Sequence, residues 1–108
     1  MADLVLPAGI PPVYRGGPSL TLKPHEVKLN RKTGLLKTTH GVSVDAMPEH
    51  VARFGGAYLV RGAPPLLTIV QRGQRDAHYE IVPAIPMTPA QYQTLLDQVE
   101  LELFQKES

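Results

Sequence analysis

The sequence contains no cysteine, which excludes a disulfide framework, a zinc site built on thiolates and a cysteine nucleophile. It also contains no apolar run that approaches the ~20 residues of a membrane span. The N-terminal segment MADLVLPAGIPPV has no basic start, and Pro7, Pro11 and Pro12 interrupt its apolar residues, so it does not resemble a secretory signal. We therefore expect a soluble, cytoplasmic protein without a membrane partner.

A large excess of charge of either sign is lacking as well. The chain has 11 basic and 10 acidic residues, and its formal net charge is +1. This balance provides no broad positive field for binding nucleic acid non-specifically. A local basic patch remains open, around Arg72 and Arg75 or around Lys28, Arg31 and Lys32.

The length of 108 residues suits one small domain. Prolines interrupt residues 1–12, which we interpret as a lead-in, so that the domain comprises residues 13–108. Hydrophobic residues make up 43% of the chain, as in globular proteins, and it has 11 prolines and 9 glycines. This composition favours short strands, turns and loops over long helices.

Several short runs have the composition of strands and end at glycine or proline. The first run, Val13-Tyr14, stops at Gly16-Gly17-Pro18. Residues 26–44 are predicted to form a hairpin with its turn at residues 31–34, where a glycine can adopt positive φ. Three later runs, AYLV, LLTIVQRG and HYEIVP, are rich in the Val, Ile and Tyr that strands prefer.

Two segments carry helix signals. In DAMPEHVARFGG, Asp45 can cap a short helix, Pro48 suits its first turn and the two glycines can end it. Near the C-terminus, Thr88 and Gln91 form a capping box, and apolar residues follow at helical spacing. We therefore expect an α+β domain with two helices and a mainly antiparallel, split or strongly twisted sheet.

Three residues stand where strands could present them to a ligand: Arg15 after the first strand, Ser43 in THGVSVD and Glu80 in HYEIVP. Each has an ordinary interpretation when it is taken alone, because solvated arginines, outward serines and exposed glutamates are common in strands. Their order along the chain adds information that no single residue provides.

This order resembles the arginine-serine-glutamate branch of the ADP-ribosyltransferase superfamily. Tyr14-Arg15-Gly16 is similar to the first motif of that family. Ser43, followed by an acidic residue and a short helical segment, is similar to the second motif, and Glu80-Ile81-Val82-Pro83 to the third. The resemblance spans residues 13–83 and implies an ADP-ribosyltransferase-like fold.

The chain departs from the family pattern at two places. His40-Gly41-Val42-Ser43 replaces the usual serine-threonine-serine run, which leaves the register of the serine open and makes Thr39 an alternative hydroxyl. His78 stands where members that modify arginine carry a second acidic residue. The second departure disfavours arginine as the acceptor.

The resemblance implies that NAD is the substrate and assigns roles to the matching residues. Glu80 would stabilise the positive charge that develops on the ribose when the nicotinamide leaves. Arg15 would hold a phosphate or position a ribose of NAD, and Gly16 would let the dinucleotide approach the backbone. Ser43 would orient Glu80 or the ribose through one hydrogen bond.

Aromatic and imidazole side chains complete the candidate site. Tyr58 is the first candidate to stack on the nicotinamide ring, with Tyr14 and Phe54 as alternatives. His40 and His78 lie on the strands of the serine and the glutamate, where either could transfer a proton near neutral pH. His25 and His50 have no visible partner at metal-ligand spacing and are expected at the surface, and no metal is expected.

Two alternatives to the transferase remain open. In a metal-independent ribonuclease, Glu80 or His40 would remove the proton of the 2′-hydroxyl and His78 would protonate the leaving oxygen, while Arg72 or Arg75 would stabilise the charged phosphorane. In a non-catalytic module, the same scaffold would only hold a nucleotide or a partner protein.

The resemblance also suggests a biological role. A small domain of this family resembles bacterial toxins that hydrolyse NAD or transfer ADP-ribose to a macromolecular acceptor, such as a protein or an RNA. By analogy alone, we expect a cognate antitoxin or immunity protein as a further partner.

Overall fold

The computed structural model describes residues 4, 6 and 8–105 of the chain. In this part of the chain the strands are β1 (Tyr14–Gly16), β2 (Leu29–Asn30), β3 (Leu35–Leu36), β4 (Val42–Asp45), β5 (Ala57–Gly62), β6 (Leu67–Gln71), β7 (His78–Pro83) and β8 (Glu100–Gln105). The α-helix is α1 (Pro89–Leu96), and short 3-10 helices lie at Pro24–Glu26, Pro48–His50 and Ala52–Phe54. No helix among the described residues is long and apolar enough to cross a membrane.

Six of these strands form one sheet in the order β6-β7-β4-β1-β5-β8. Every neighbouring pair is antiparallel, and β2 and β3 pair separately as a small hairpin. Only β6 and β7 are neighbours both in the sheet and along the chain, so most of the sheet is built from non-local pairs. The predicted α+β class with a mainly antiparallel sheet is confirmed.

The main core lies on one face of the sheet, against α1. Strand β4 places Val42 and Val44 in this core, where both side chains are buried together with Tyr92 and Leu96 of the helix. Burial of each such side chain contributes roughly 1.5–3 kcal/mol. The alternate residues of β4 therefore face away from the core, because successive strand residues point to opposite faces.

The predicted C-terminal helix is confirmed, including its start. The Thr88 hydroxyl accepts a hydrogen bond from the backbone of Gln91, and the Gln91 side chain accepts one from the backbone of Thr88. This capping box satisfies two of the amide groups that a helix leaves without partners at its N-terminus.

The predicted first helix is wrong, since residues 48–54 form two 3-10 turns instead of an α-helix. Val51 separates the turns, and its amide bonds to the carbonyl of Pro48 three residues earlier. Gly55, with φ of 106°, ends the second turn. Asp45 also does not cap a helix, because its carboxylate accepts a hydrogen bond from Met47 two residues later.

The predicted hairpin of residues 26–44 is correct only near its turn. Strands β2 and β3 flank the turn, and Gly34 has the positive φ expected there, 72°. Residues 42–45 leave the hairpin and pair with β7 in the main sheet. The predicted lead-in lies partly outside the described residues, and residues 8–12 contain neither helix nor strand.

Candidate functional site

The three residues of the family pattern lie on three adjacent strands. Glu80 is on β7, Ser43 on β4 and Arg15 on β1, and these strands are neighbours in the sheet. Ser43 is the register partner of Glu80 across the β4–β7 pair. The fold thus brings together residues that are far apart along the chain.

The side chains do not all point to the same face of the sheet. Residues directly opposite each other on antiparallel strands share a face, while successive residues on one strand alternate. The pairs Ser43–Glu80 and Tyr14–Asp45 therefore share the face away from the main core. Arg15 follows Tyr14 and lies on the core face.

Glu80 is the centre of a cluster of hydrogen bonds, and its relative exposure is only 3%. Its Oε2 atom accepts a hydrogen bond from Arg72 Nε at 3.0 Å and lies 2.9 Å from His78 Nε2. Its Oε1 atom accepts from the backbone amide of Gly41 at 3.0 Å. Burial raises the pKa of Glu80, but the hydrogen bonds from Arg72, His78 and Gly41 outweigh burial and hold the pKa below its ordinary value. The carboxylate is therefore ionised at neutral pH.

His40 lies beside this cluster. Its Nδ1 atom is 2.7 Å from the hydroxyl of Thr39. Burial lowers the pKa of His40 and the positive charge of Arg72 lowers it further, against the opposing effect of Glu80. The imidazole is therefore neutral near pH 7. Of the two predicted histidines, His78 contacts Glu80 directly and His40 interacts with it through the electrostatic field.

Arg15 is buried in a second cluster, with a relative exposure of 8%. Its guanidinium donates to the carbonyl of Ser43 at 2.8 Å and to Glu26 Oε2 at 3.3 Å, and Nε donates to the carbonyl of Ser19 at 3.4 Å. The expectation of an arginine presented at an open strand end is therefore wrong. Internal partners already occupy Nε and Nη1 of this guanidinium.

The second cluster completes the sheet where β1 and β4 separate. These strands pair only at Tyr14–Asp45, so no backbone of β1 reaches the polar groups of Ser43. Instead Glu26 Oε2 accepts from the Ser43 amide at 2.9 Å, and Arg15 donates to the Ser43 carbonyl. The charged pair thus satisfies backbone groups that would otherwise be buried without partners.

Three successive amides of residues 41–43 bind three different side chains. Gly41 donates to Glu80, Val42 to the hydroxyl of Tyr92, and Ser43 to Glu26. Gly41 must be a glycine, because a Cβ atom there would lie 1.8 Å from the carbonyl oxygen of Ile81. The departure from the family's serine-threonine-serine run therefore has a packing reason at this position.

A small cavity of about 170 Å³ lies next to Ser43 and His78. Its wall includes Asp45, whose carboxylate lies 2.9 Å from His50 Nδ1 and accepts from Arg75 at 2.7 Å. Asp45 is the acidic residue that follows Ser43 in the second motif, but the sequence pattern assigned it no role in the site. Its position two residues after Ser43 on a strand, and hence on the same face, was the available signal.

The predicted roles of Tyr58 and Gly16 do not match their surroundings. Tyr58 is the register partner of Arg15 on β5 and so lies on the face away from Glu80. Phe54, an alternative stacking residue, is 58% exposed and lines the cavity beside Ser43. A Cβ atom on Gly16 would lie 2.9 Å from Phe54, so this glycine makes room for packing in the folded chain.

Among the described residues, no group of three or more His, Cys, Asp or Glu side chains is placed to hold a metal ion. Comparisons of the chain with models of protein families, with curated proteins and with solved structures found no match.

Proposed function

We propose that the protein is an NAD-consuming enzyme with an ADP-ribosyltransferase-like fold, either an ADP-ribosyltransferase or an NAD glycohydrolase. The observation that supports this most is the adjacency of the three motif strands, with Ser43 directly opposite Glu80. The motifs alone resemble the family in order along the chain. Their meeting side by side in the sheet is an independent spatial property.

Glu80 is the catalytic carboxylate in this proposal. When the bond between ribose C1′ and the nicotinamide nitrogen breaks, nicotinamide leaves with the bonding electrons and positive charge develops on the ribose. An ionised carboxylate with a lowered pKa stabilises that charge more in the transition state than in the ground state. Water or an acceptor then forms the new bond to C1′ and loses its proton to a base, for which neutral His40 is suited.

The other residues take revised roles. Arg15 is a positioning residue, because it reaches the site only through the backbone of Ser43. Arg72 and Arg75 are 44% and 60% exposed and are suited to bind the phosphates of NAD. Phe54 offers an exposed ring beside the cavity.

The biological role is proposed by analogy with the family. The enzyme acts as a bacterial toxin in the cytoplasm on a macromolecular acceptor, and a cognate protein neutralises it. Expression of the chain in a bacterial host, with and without NAD-site substitutions, tests this role. Unchanged growth on expression of the intact chain would contradict it.

The direct test of the enzyme is the release of nicotinamide from NAD. We expect Glu80→Gln, which keeps the shape and removes the charge, to reduce the rate by about 100-fold or more. Glu102→Gln is the matched control, because Glu102 is 60% exposed on β8, and it should react like the wild type. Absence of nicotinamide release by the intact chain, or full activity of a folded Glu80→Gln variant, would overturn the proposal.

A metal-independent ribonuclease is the second candidate, favoured by the contact of His78 and Arg72 with the same oxygen of Glu80. A carboxylate, an imidazole and a guanidinium in one cluster are the groups that cleavage of RNA requires. Incubation of labelled RNA without NAD separates the candidates, since only the ribonuclease cuts it. If NAD raises the Tm and neither reaction occurs, the protein is a binding module.

A further inference from the structure

The hairpin of β2 and β3 carries a concentrated set of positive charges that the proposed reaction does not use. A groove of about 800 Å³ runs along it, and its walls are formed by Val27, Lys28, Leu29, Asn30, Arg31, Lys32 and Lys37. Four of these residues are basic and none is acidic. Residues 28–34 and Lys37 are all exposed, so the charges face solvent.

These four charges are not neutralised within the part of the chain that the structure describes. The acidic groups near the site pair with other cations: Glu26 with Arg15, Glu80 with Arg72, and Asp45 with Arg75. None of the described ion pairs includes a basic residue of the groove. The surface of the groove is therefore strongly positive, although the net charge of the whole chain is only +1.

The groove is electrostatically continuous with the candidate site. The amide of Lys37 donates to the carbonyl of Lys28 at 2.7 Å, which places both residues at the base of the hairpin. After burial, the charges of Arg72, Lys28 and Lys37 all lower the pKa of His40, while Glu80 opposes them. Lys28 and Lys37 are thus near enough to His40 to act on its charge, and His40 directly precedes Gly41, whose amide binds Glu80.

We propose that this groove binds the phosphate backbone of a nucleic-acid strand, and that the strand is the acceptor of the ADP-ribose. The inference rests on the proposed function and names its acceptor class. Several exposed cations in one groove that no acidic residue lines suit the repeated phosphates of a nucleic-acid strand. Leu29, which is 48% exposed in the groove, adds an apolar surface for a ribose or a base.

The transfer step needs no further reactant. The bond between C1′ and the nicotinamide nitrogen breaks, and nicotinamide takes the electron pair. A hydroxyl oxygen or ring nitrogen of the bound strand forms the new bond to C1′, and its proton passes to a base of the site. Lys37 at the base of the hairpin is three residues before His40, and the amide of Gly41, which follows His40, donates to Glu80. A strand bound along the hairpin as far as Lys37 would therefore lead toward the base and the stabilising carboxylate.

Binding is tested with fluorescent single-stranded RNA and DNA of about 20 nucleotides, by anisotropy over a series of salt concentrations. The test variant replaces Lys28, Arg31, Lys32 and Lys37 with glutamine. We expect the slope of log K against log salt to lose roughly 0.7 per removed cation, or about 3 in all. The control is Arg61→Gln, since Arg61 is 53% exposed and paired with Glu102 on β8, and its slope should change little.

The acceptor is tested by transfer of label from NAD to the same oligonucleotides, with a mixture of bacterial proteins as the competing acceptor. Label on RNA alone, DNA alone or both supports the inference and identifies the strand. Three results would overturn the inference. They are label on protein alone, an affinity of the intact chain for polyglutamate equal to its affinity for the oligonucleotides, and a salt slope that is unchanged in the quadruple variant.

The inference and the proposed function fail in different ways. No groove residue contacts Glu80, but Lys28 and Lys37 act on the pKa of His40, so the comparison is made at a pH well above the ordinary pKa of a histidine, where His40 is neutral in both proteins. There the quadruple variant should release nicotinamide at the wild-type rate when water is the acceptor. If the intact chain releases no nicotinamide, the proposed function and the transfer step both fall. Oligonucleotide binding would then still decide whether the groove is a nucleic-acid surface.

Discussion

Glu26 and Glu80 are both buried carboxylates that bind an arginine and a backbone amide of residues 41–43, but their surroundings differ. The side chain of Arg15, the partner of Glu26, is only 9% exposed. The partners of Glu80 are open to solvent, with exposures of 44% for Arg72 and 25% for His78. The same pair of residue types therefore closes a gap in the sheet at one place and forms a reachable cluster at the other.

Residue type alone therefore does not identify a site. Arg15 has the motif position but its side chain is almost entirely buried, whereas Arg72 has no motif and lies at the surface. One oxygen of Glu26, Oε1, is buried and has no hydrogen-bond partner among the described residues. The pair of Arg15 and Glu26 thus has a structural role, and its loss should mainly reduce the free energy of unfolding.

The largest effect is expected when the buried pair is broken. Arg15→Met removes the cation and leaves Glu26 charged and buried, so we expect a loss of roughly 3–5 kcal/mol in the free energy of unfolding. Urea denaturation measures it. The double variant Arg15→Met/Glu26→Leu removes both charges and should be less destabilised than Arg15→Met alone. A loss below about 1 kcal/mol in the single variant would contradict the structural role.

The second prediction concerns pH and the other carboxylate. Because the pKa of Glu80 in the folded protein is lowered below its ordinary value, its ionised form stabilises the fold at neutral pH. This contribution should disappear in acid, as the pH falls through the lowered pKa and the folded carboxyl takes up its proton. Denaturation of the wild type and Glu80→Gln from about pH 7 to about pH 3 measures it. Equal acid sensitivity of the two proteins would show that Glu80 contributes nothing.

The smallest effect is expected at the exposed arginine. Arg72 is 44% exposed, so solvent screens its interaction with Glu80 and Arg72→Gln should cost less than about 1 kcal/mol. The variant should nevertheless raise the pKa of Glu80, because one stabilising hydrogen bond to the anion is lost. Carbon-detected NMR titration of the Glu80 carboxyl measures the shift. If Arg72→Gln destabilised the protein as much as Arg15→Met, the expected difference between the exposed and the buried ion pair would be contradicted.

Local signals were sufficient for some elements. The capping box of Thr88 and Gln91 specifies the start of α1 within four consecutive residues, and the structure has it there. Gly34 is a second local signal, because its positive φ forms the turn between β2 and β3. The segment predicted as a helix near Pro48 forms two single 3-10 turns instead. Only a few residues lie between Pro48 and Gly55, and the left-handed conformation of Gly55 ends the segment before a longer helix can form.

Non-local contacts decided the rest. Residues 42–45 continue the hairpin in sequence, yet they pair with residues 78–81 of β7. Glu26 could not be recognised as the partner of Arg15 and Ser43, since the prediction placed it in the first strand of a local hairpin. Its side chain instead reaches across to β4 from a 3-10 turn.

The sequence by itself determined the α+β class and the C-terminal helix, because composition, capping and alternation act over a few neighbouring residues. Only the tertiary structure decided that Ser43 meets Glu80 while Arg15 turns to the other face. The physical reason is that strand neighbours in this sheet are mostly distant along the chain. A shift of one residue in their register would move each side chain to the opposite face.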